Sequence, residues 1–344
     1  MKTTLSGLLA AAGLMAGLCL PGAGLAQEVT LTVHHFLGPN ATVQKVLIEP
    51  WAERVETQSG GRIAVEIYPA MSMGGRAPEL FRQVRDGVAD IVWTLPSYTP
   101  GQFKRLEVFE LPGVHLNSAK ATTLAIQDML PALADDLKEV HPLLVHVHGG
   151  YLLHMRAKEL ATVGDLAGLK IRTPSRIAGW LIDEWKAEPV SMPVPDLPQA
   201  LSKGAVDAAL LPFEAAGPMK LDELTTFSVE GPGHLRSGTT VFLFAMNKDR
   251  YDSLPDDLKK VIDDNSGMNI AGEVGAGFDK AERDVAASFS GSRPVLELSP
   301  EAWSGFDVAS EAVVARWVKD VSGADLDGAA LVEAARAAVA AHSR

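Results

Sequence analysis

The sequence predicts an α/β protein of two lobes, in which each lobe is a sheet flanked by helices. Two observations support this prediction. Strand and helix patterns alternate between residues 29 and 95, and a similar pattern returns in the second half of the chain. Such alternation is typical of a parallel sheet with helices on its faces. Long helical segments follow toward the C-terminal end.

The first unit is predicted to contain three strands and two helices. VTLTVHHF alternates apolar and polar residues, and the helix after it repeats Val43, Leu47, Trp51 and Val55 at helical spacing. A glycine pair ends this helix, and Gly87 ends the next one. In order, the predicted elements are a strand at 29–36, a helix at 41–58, a strand at 63–69, a helix at 77–87 and a strand at 89–95.

A repeated motif relates the two halves of the chain. The pattern P-x-L-x6-G-x2-D begins at Pro78 and again at Pro195, an offset of 195 − 78 = 117 residues. In both copies a helix is predicted up to the glycine, and an apolar strand (IVWTL or AALLPF) follows the aspartate. The strands RIAVEI and LKIRTP are predicted to be equivalent as well. The repeat favours two similar lobes, although helix–glycine–strand connections are common enough to recur by chance.

The remaining segments predict that the chain passes between the lobes more than once. HPLLVHVHGG (141–150) and SGTTVFLFAMN (237–247) are predicted strands outside both copies of the motif. Helices are predicted from Pro255 to about Ala286, at about 301–319 and at about 325–342. Because no low-complexity linker separates the halves, several short crossings should tie the lobes and leave a cleft between them.

The first 26 residues have the pattern of a secretory signal peptide. Lys2 supplies the positive charge, an apolar run follows, and Gly24 and Ala26 occupy positions −3 and −1 before Gln27. A membrane anchor is the alternative, but Pro21 interrupts an apolar core that is already short. Cleavage after Ala26 would leave 344 − 26 = 318 residues, and the predicted location is the periplasm.

The composition excludes several classes of function. Cys19, within the signal segment, is the only cysteine, so the exported chain is predicted to have no disulfide, thiolate nucleophile or cysteine metal site. The formal net charge of −12 argues against nucleic acids and anionic membrane surfaces as partners. After the signal segment, no apolar run approaches the roughly 20 residues that span a bilayer.

Sequence motifs give little support to an enzyme, and no cofactor is predicted. The chain has no G-x-S-x-G elbow, no G-x-G-x-x-G or Walker loop and no H-E-x-x-H motif. His146 and His148 would share one face of a strand and could bind a metal together, which leaves a periplasmic metal-dependent enzyme as an alternative. No third ligand lies at a recognisable spacing, so hydrogen-bonded histidines near a strand end are the favoured interpretation.

Arg172 is the clearest candidate for a binding residue. It lies near the carboxyl end of the predicted strand LKIRTP, which Pro174 terminates, and ligands of open α/β sheets bind at that end of the strands. Its planar guanidinium matches a carboxylate and keeps its charge. The segment offers no acid, so the partner is either a ligand or an acid of the other lobe such as Glu214. His154, which follows a glycine pair, is expected to face the same cleft.

Aromatic residues lie at the ends of the predicted strands. Phe36, Trp93, Tyr98 and Phe213 all stand at or just after a carboxyl end. One such residue would normally belong to the core, but four of them favour an apolar wall along the cleft.

Six segments resemble the DctP-type periplasmic solute-binding proteins of TRAP transporters, over essentially the whole chain after the signal segment. The resemblance implies two α/β lobes with long C-terminal helices that brace both. It also implies capture of an organic acid and delivery to membrane permease subunits driven by an ion gradient. A monomer is expected for a receptor that must meet a permease. The segments are TQSGGRI (57–63), EIYPAMSMGG (66–75), VRDGVADIVW (84–93), VGDLAGLKIRTPSR (163–176), PVSMPVPDLPQALSKGAVDAA (189–209) and MNKDRYDSLPDDLKKVID (246–263).

The resemblance also assigns residues. The family's carboxylate-binding arginine falls on Arg172 within GLKIR. Two polar positions of sialic-acid-type members are apolar here, Leu211 replacing an asparagine and Leu152 a further arginine. Together with the aromatic residues, these departures favour a small monocarboxylate with an apolar or aromatic tail, for example a 2-oxo or 2-hydroxy acid. A sulfonate or a zwitterionic solute is the alternative ligand.

The sequence predicts a ligand-binding site and a division of the chain into a signal peptide and two lobes. Residues 1–26 are the signal peptide, 27–149 with 238–277 form lobe I, and 150–237 with 278–344 form lobe II. The predicted ligand contacts are Arg172, His35, Phe36, Trp93, Thr94, Tyr98, Leu152, His154, Phe213 and Glu214.

Overall fold

Two sheets flanked by helices make up the fold, as the sequence predicts, in a computed structural model that describes residues 27–157, 159–323 and 325–343. The predicted signal peptide, residues 1–26, lies outside the described residues. Within the described ranges, no helix is both long enough and apolar enough to cross a bilayer.

Each sheet combines parallel strands with one antiparallel strand that comes from the other half of the chain. The first sheet has the order β2-β1-β3-β10-β4, and the second has the order β11-β9-β5-β8-β6-β7, with the strands numbered along the chain as given below. The chain therefore crosses between the sheets after β4, after β9 and again before β11, which confirms the prediction of more than one crossing. The strands of the described residues are β1 (Val29–His35), β2 (Ile63–Tyr68), β3 (Ile91–Thr94), β4 (His141–Val147), β5 (Leu152–Met155), β6 (Lys170–Thr173), β7 (Glu188–Ser191), β8 (Ala208–Leu211), β9 (Phe227–Glu230), β10 (Val241–Met246) and β11 (Val295–Glu297).

The helices cover the sheets and differ from the prediction at one break. The helix predicted from Pro255 to about Ala286 is interrupted at Gly267, whose φ of +54° is left-handed, and its second part continues to Ser292. Left-handed backbone ends a helix, which explains the correction. The α-helices of the described residues are α1 (Glu49–Gln58), α2 (Leu80–Arg85), α3 (Ala119–Leu137), α4 (Arg176–Glu184), α5 (Leu197–Ser202), α6 (Phe213–Ala216), α7 (Lys248–Asp252), α8 (Asp256–Asp264), α9 (Met268–Ser292), α10 (Pro300–Val321) and α11 (Gly328–His342).

The long C-terminal helices brace both halves of the molecule. α9 packs against α3, which lies beside the first sheet, and against α6, which follows the second-sheet strand β8. α10 packs on α4 of the second half, whereas α11 packs on α3. The helices after residue 278, which the predicted division assigns to lobe II, thus contact elements of both halves.

The repeated motif has the same structure in both copies. The helices α2 and α5, and the strands β3 and β8, begin 117 residues apart (197 − 80 and 208 − 91). Asp90 accepts a hydrogen bond from the main-chain N–H of Thr32 at 2.9 Å, and Asp207 accepts one from Lys170 at 2.9 Å. In each copy the aspartate thus ties the start of its own strand to the neighbouring parallel strand.

This equivalence corrects one prediction. Because Lys170 takes the place of Thr32, β6 with the sequence KIRT corresponds to β1, not to the strand of RIAVEI. The counterpart of RIAVEI is β7, which directly precedes the second copy of the motif and pairs with β6 at the edge of its sheet. The sequence pattern missed β7 because it is short and mostly exposed.

Candidate ligand-binding site

A cavity lies between the two sheets, next to the carboxyl ends of β3, β6 and β8. These strands contribute Trp93, Arg172, Leu210 and Leu211 to its lining. The empty space between its lining residues, part of which is open to solvent, is about 470 Å³. The geometry is that of the predicted cleft.

Arg172 lies in this cavity with its side chain removed from solvent. The residue is 1% exposed, its Nε and Nη2 donate to the carbonyl oxygen of Met192 at 3.2 and 3.1 Å, and its Nη1 donates to that of Leu210 at 3.2 Å. Burial lowers its pKa, which the nearby Tyr98 and Tyr151 partly offset. Within the described chain, no ion pair joins Arg172 to Glu214 or to another carboxylate, so the predicted alternative partner is wrong.

Tyr98 places a second hydrogen-bonding group beside Arg172. Its hydroxyl oxygen accepts a hydrogen bond from the main-chain N–H of Val194 at 3.0 Å and also interacts with the guanidinium. Burial raises the pKa of Tyr98, so the phenol keeps its proton. Because two donors already point at the oxygen, its own O–H is available to a bound anion.

His148 is a neutral donor on the same side of the cavity. Its Nδ1 accepts from the main-chain N–H of Gly150 at 3.0 Å, which assigns the proton of the neutral ring to Nε2. Burial holds the pKa of His148 well below its usual range. Gly150 permits this turn, since its φ is +96° and a Cβ there would lie 2.6 Å from the Arg236 side chain.

Stacked rings form one wall of the cavity. We name Phe36, Trp93 and Phe242 the aromatic stack, because the ring centroids of Trp93 lie 4.9 Å from Phe36 and 4.6 Å from Phe242 with nearly parallel planes. The indole N–H of Trp93 donates to Nε2 of His146 at 2.9 Å, which fixes the ring. A flat apolar group can lie against this stack.

The hydrogen bonds of His146 also bear on the metal-enzyme alternative. Nε2 accepts from Trp93, and Nδ1 lies 3.3 Å from the carbonyl oxygen of Val147. Burial lowers the pKa of His146 to about 3. Both ring nitrogens are thus engaged, and the described part of the chain contains no cluster of three metal-binding side chains.

Comparison with known proteins identifies the family. A family model described as "Bacterial extracellular solute-binding protein, family 7" (DctP) matches residues 33–320. The chain belongs to this family. The match confirms the resemblance to TRAP solute-binding proteins that the sequence segments indicate.

Similar solved and curated proteins agree with this assignment. A TRAP solute-binding protein from a marine metagenome, specific for aromatic acid ligands and solved with metahydroxyphenylacetate, is 40% identical with a TM-score of 0.89, over 92% of this chain and 100% of that one. A TRAP protein from Rhodoferax ferrireducens T118, solved with copurified benzoate, is 37% identical with a TM-score of 0.87, over 91% of this chain and 98% of that one. The outer membrane transporter protein TsaT of Comamonas testosteroni is 25% identical over 94% of this chain and 95% of its own.

Five of the predicted contacts lie in the cavity of this family 7 protein. Arg172 lies near the strand end that the sequence predicted, and the others surround the space in front of it. The five residues are Arg172, Phe36, Trp93, Tyr98 and Glu214.

The other five predicted contacts do not line the cavity. Thr94 follows Trp93 on β3 and so points to the opposite face of the sheet. His35 uses Nε2 to contact Gln44 at 2.7 Å, and burial lowers its pKa to about 4. Leu152 is buried on β5, where it pairs with Leu211 of the antiparallel strand β8.

His154 and Phe213 lie outside the cavity lining, next to Phe289 of α9. His154 contacts the carbonyl oxygen of Leu211 at 3.2 Å and the hydroxyl of Ser228 at 2.9 Å. The Phe213 ring packs against Phe289 at a centroid distance of 5.3 Å. Both therefore belong to the core around α9.

Four lining residues that sequence reasoning missed come from the crossings between the lobes or from the strand that follows a crossing. His148 and Tyr151 lie between β4 and β5, Thr240 lies just before β10, and Phe242 lies on β10. β10 is antiparallel to β3, so its N-terminal end meets the carboxyl end of β3. That orientation is the signal which could have identified Phe242.

Proposed function

We propose that this protein is a periplasmic receptor that binds an aromatic monocarboxylate between its lobes and delivers it to a TRAP membrane permease. The main support for this proposal is the environment of Arg172. Its guanidinium is buried beside the aromatic stack and hydrogen-bonds only to neutral groups. An unpaired buried cation is unfavourable unless an anion reaches it. Benzoate and metahydroxyphenylacetate, the ligands of the two similar solved proteins, combine an anion with a flat ring.

The carboxylate of such a ligand would meet several donors at once. Arg172 has five N–H groups; three donate to main-chain carbonyls and one points at the hydroxyl of Tyr98, which leaves one for the ligand. The O–H of Tyr98 and the Nε2–H of His148 add neutral donors. The ring would then lie against the aromatic stack. Charge-assisted hydrogen bonds of this kind contribute about 1.5–3 kcal/mol each.

The lining also favours one acid group over two. Arg172 is the only arginine or lysine among the described residues that line the cavity, and His148 is neutral. A second carboxylate would therefore be buried without a cation. The hydroxyls of Tyr151 and Thr240 are close enough to the cavity to serve the 2-oxo or 2-hydroxy group that the sequence suggests.

Calorimetric titration with a matched ligand panel tests the proposal. Benzoate, phenylacetate, mandelate and phenylpyruvate represent aromatic acids, acetate lacks the ring, and benzenesulfonate represents the sulfonate alternative. We expect the aromatic carboxylates to bind and acetate to bind at least about 30-fold more weakly, since burying a ring contributes about 2–3 kcal/mol. Binding of benzenesulfonate alone would replace the proposal with that alternative.

Substitution of Arg172 tests the anchor. We expect Arg172→Ala to weaken binding of the preferred acid by at least about tenfold, which corresponds to 1.4 kcal/mol. Arg54→Ala is the control, because Arg54 pairs with Glu273 on the surface of α1, away from the cavity. An unchanged dissociation constant for Arg172→Ala would rule out Arg172 as the anchor.

A further inference from the structure

Glu214 is the only acidic residue among the described residues that line the cavity, and the carboxylate site does not use it. It lies on α6, directly after β8, and is 5% exposed. A second hollow adjoins the cavity and shares Leu37, Glu214 and Ala215 with it, whereas Arg172 lines the cavity alone. Glu214 therefore lies at the junction of the two spaces, where the part of a ligand distant from Arg172 would be.

The surroundings of Glu214 offer no cation. Its main-chain N–H donates to Oε2 of Glu282 at 2.8 Å, and the hydroxyl of Thr42 donates to its carbonyl oxygen at 3.3 Å. Burial raises the pKa of Glu214 to about 8, and the charge of Glu282 acts in the same direction. Glu214 is thus a neutral carboxylic acid at pH 7, with an O–H donor and acceptor oxygens.

We propose that Glu214 binds a hydroxyl group on the aromatic ring, at the end of the ligand opposite its carboxylate. The inference rests on the proposed function, because it takes the carboxylate at Arg172 as given. A phenolic hydroxyl both donates and accepts, which matches a protonated carboxyl. An unsubstituted ring would leave the carboxyl with only the hydroxyl of Thr42 as a partner, and a second carboxylate would face an acid instead of a cation. The preferred ligands are therefore hydroxylated aromatic monocarboxylates.

Titration of the chain from residue 27 with benzoate and its three monohydroxy derivatives measures this preference. For the wild type, we expect at least one hydroxybenzoate to bind about tenfold or more tightly than benzoate, as expected for a site built to hydrogen-bond a hydroxyl. Glu214→Leu should reduce that ratio to within twofold, with the dissociation constant of benzoate changed by less than about threefold. Glu214→Gln, which can still donate and accept, should keep most of the preference.

Two controls separate the role of Glu214 from general effects. Glu110→Gln changes another buried glutamate, which is 2% exposed but does not line the cavity, and should leave the ratio unchanged. In the wild type, the matching fluorobenzoate should lose the preference, because fluorine has nearly the size of a hydroxyl but cannot donate. This second measurement needs no variant to fold.

Failure of the inference about Glu214 can be distinguished from failure of the proposed function. If Glu214→Leu keeps the hydroxyl preference, or if the wild type binds the fluorobenzoate as tightly as the hydroxybenzoate, the inference is overturned while benzoate still binds at Arg172. Equal binding of benzoate and all three hydroxybenzoates overturns it as well. If none of the four acids binds the wild type, the proposed function itself fails, and the inference fails with it.

Discussion

The hydroxyl oxygen of Tyr98 and the main-chain nitrogen of Val194 form a 3.0 Å hydrogen bond across the cleft. Tyr98 follows β3 of the first sheet, and Val194 directly precedes the motif that leads into β8 of the second. Because the same hydroxyl interacts with Arg172, the contact that joins the lobes is adjacent to the proposed anion site. Ligand binding and lobe closure are therefore expected to be coupled.

Tyr98→Phe tests this coupling. The variant keeps the ring but loses the bond to Val194 and the donor to the ligand, so we expect binding weakened about 5- to 10-fold, or about 1–1.4 kcal/mol. Most of the effect should appear as faster release, measured by stopped-flow tryptophan fluorescence. Tyr68→Phe is the control, since the hydroxyl of Tyr68 donates to Glu66 and Tyr68 does not line the cavity. A release rate equal to that of the wild type would disprove the coupling.

Trp93 is expected to stabilise the fold through its N–H and the ligand through its ring. Trp93→Phe removes the donor to the buried Nε2 of His146, which should lower the free energy of unfolding by about 1–3 kcal/mol in urea titrations. Binding of the preferred acid should change by less than about threefold, because an aromatic face remains.

Trp185→Phe provides the comparison for this prediction. Trp185 is 1% exposed like Trp93, but its indole N–H has no hydrogen-bond partner among the described residues. The substitution therefore removes volume without breaking a hydrogen bond and should cost less. If both variants lost the same stability, the contact with His146 would contribute nothing measurable.

The contrast between Arg172 and Thr94 shows what the sequence could predict of the site. An arginine near the end of a strand that a proline terminates has few structural roles, so its location followed from local pattern and resemblance. Thr94 directly follows Trp93 on β3, and adjacent strand residues point to opposite faces. The sequence shows which side chains of a strand point inward only when one face of the sheet is buried and the other is exposed. When both faces are covered, apolar residues occur on both, and the direction of each side chain cannot be predicted.

The crossings limited the prediction for a different reason. His148 and Tyr151 flank the lobe boundary that the sequence predicts between residues 149 and 150, but the sequence does not show the antiparallel pairing of β5 in the second sheet. Strand order is a long-range property which no local pattern specifies. The motif at Pro78 and Pro195, in contrast, is local, and its copies match residue for residue.

Buried neutral histidines should make the protein sensitive to acid. Burial lowers the pKa of His35 to about 4 and that of His146 to about 3, whereas an unfolded histidine titrates near 6.5. The unfolded state therefore binds protons first as the pH falls. The stability contributed by each neutral histidine is present above pH ~6.5 and is lost as the pH falls toward the folded-state pKa, by about 2 kcal/mol between pH 7 and 5.

Urea unfolding at pH 7.5, 6.5 and 5.5 measures this dependence. His35→Gln can keep one hydrogen bond to Gln44 but cannot titrate, so its stability should fall less steeply with acid than that of the wild type. The quantity to compare is the slope of the free energy of unfolding against pH, because a loss of packing lowers this free energy equally at every pH. Parallel curves for the two proteins would show that His35 does not contribute.

Glu110 should produce the opposite pH dependence. Burial raises its pKa to about 8, while an unfolded glutamate titrates near 4.3. Above pH ~4.3 the unfolded chain releases this proton and the folded chain retains it, so the cost of burying Glu110 grows until the pH reaches its folded-state pKa. The side chain is therefore most unfavourable in mildly alkaline solution.

Glu110→Gln removes the titration and keeps an acceptor for the main-chain N–H of Val241, which Oε1 contacts at 3.2 Å. Ser175 also hydrogen-bonds to this carboxyl, and any cost of placing an amide nitrogen there is the same at every pH. We expect the stability of the variant relative to the wild type to rise by at least about 1 kcal/mol between pH 5 and pH 8. Because the constant cost cancels in this comparison, a difference that does not change with pH would contradict a protonated Glu110 in the folded protein.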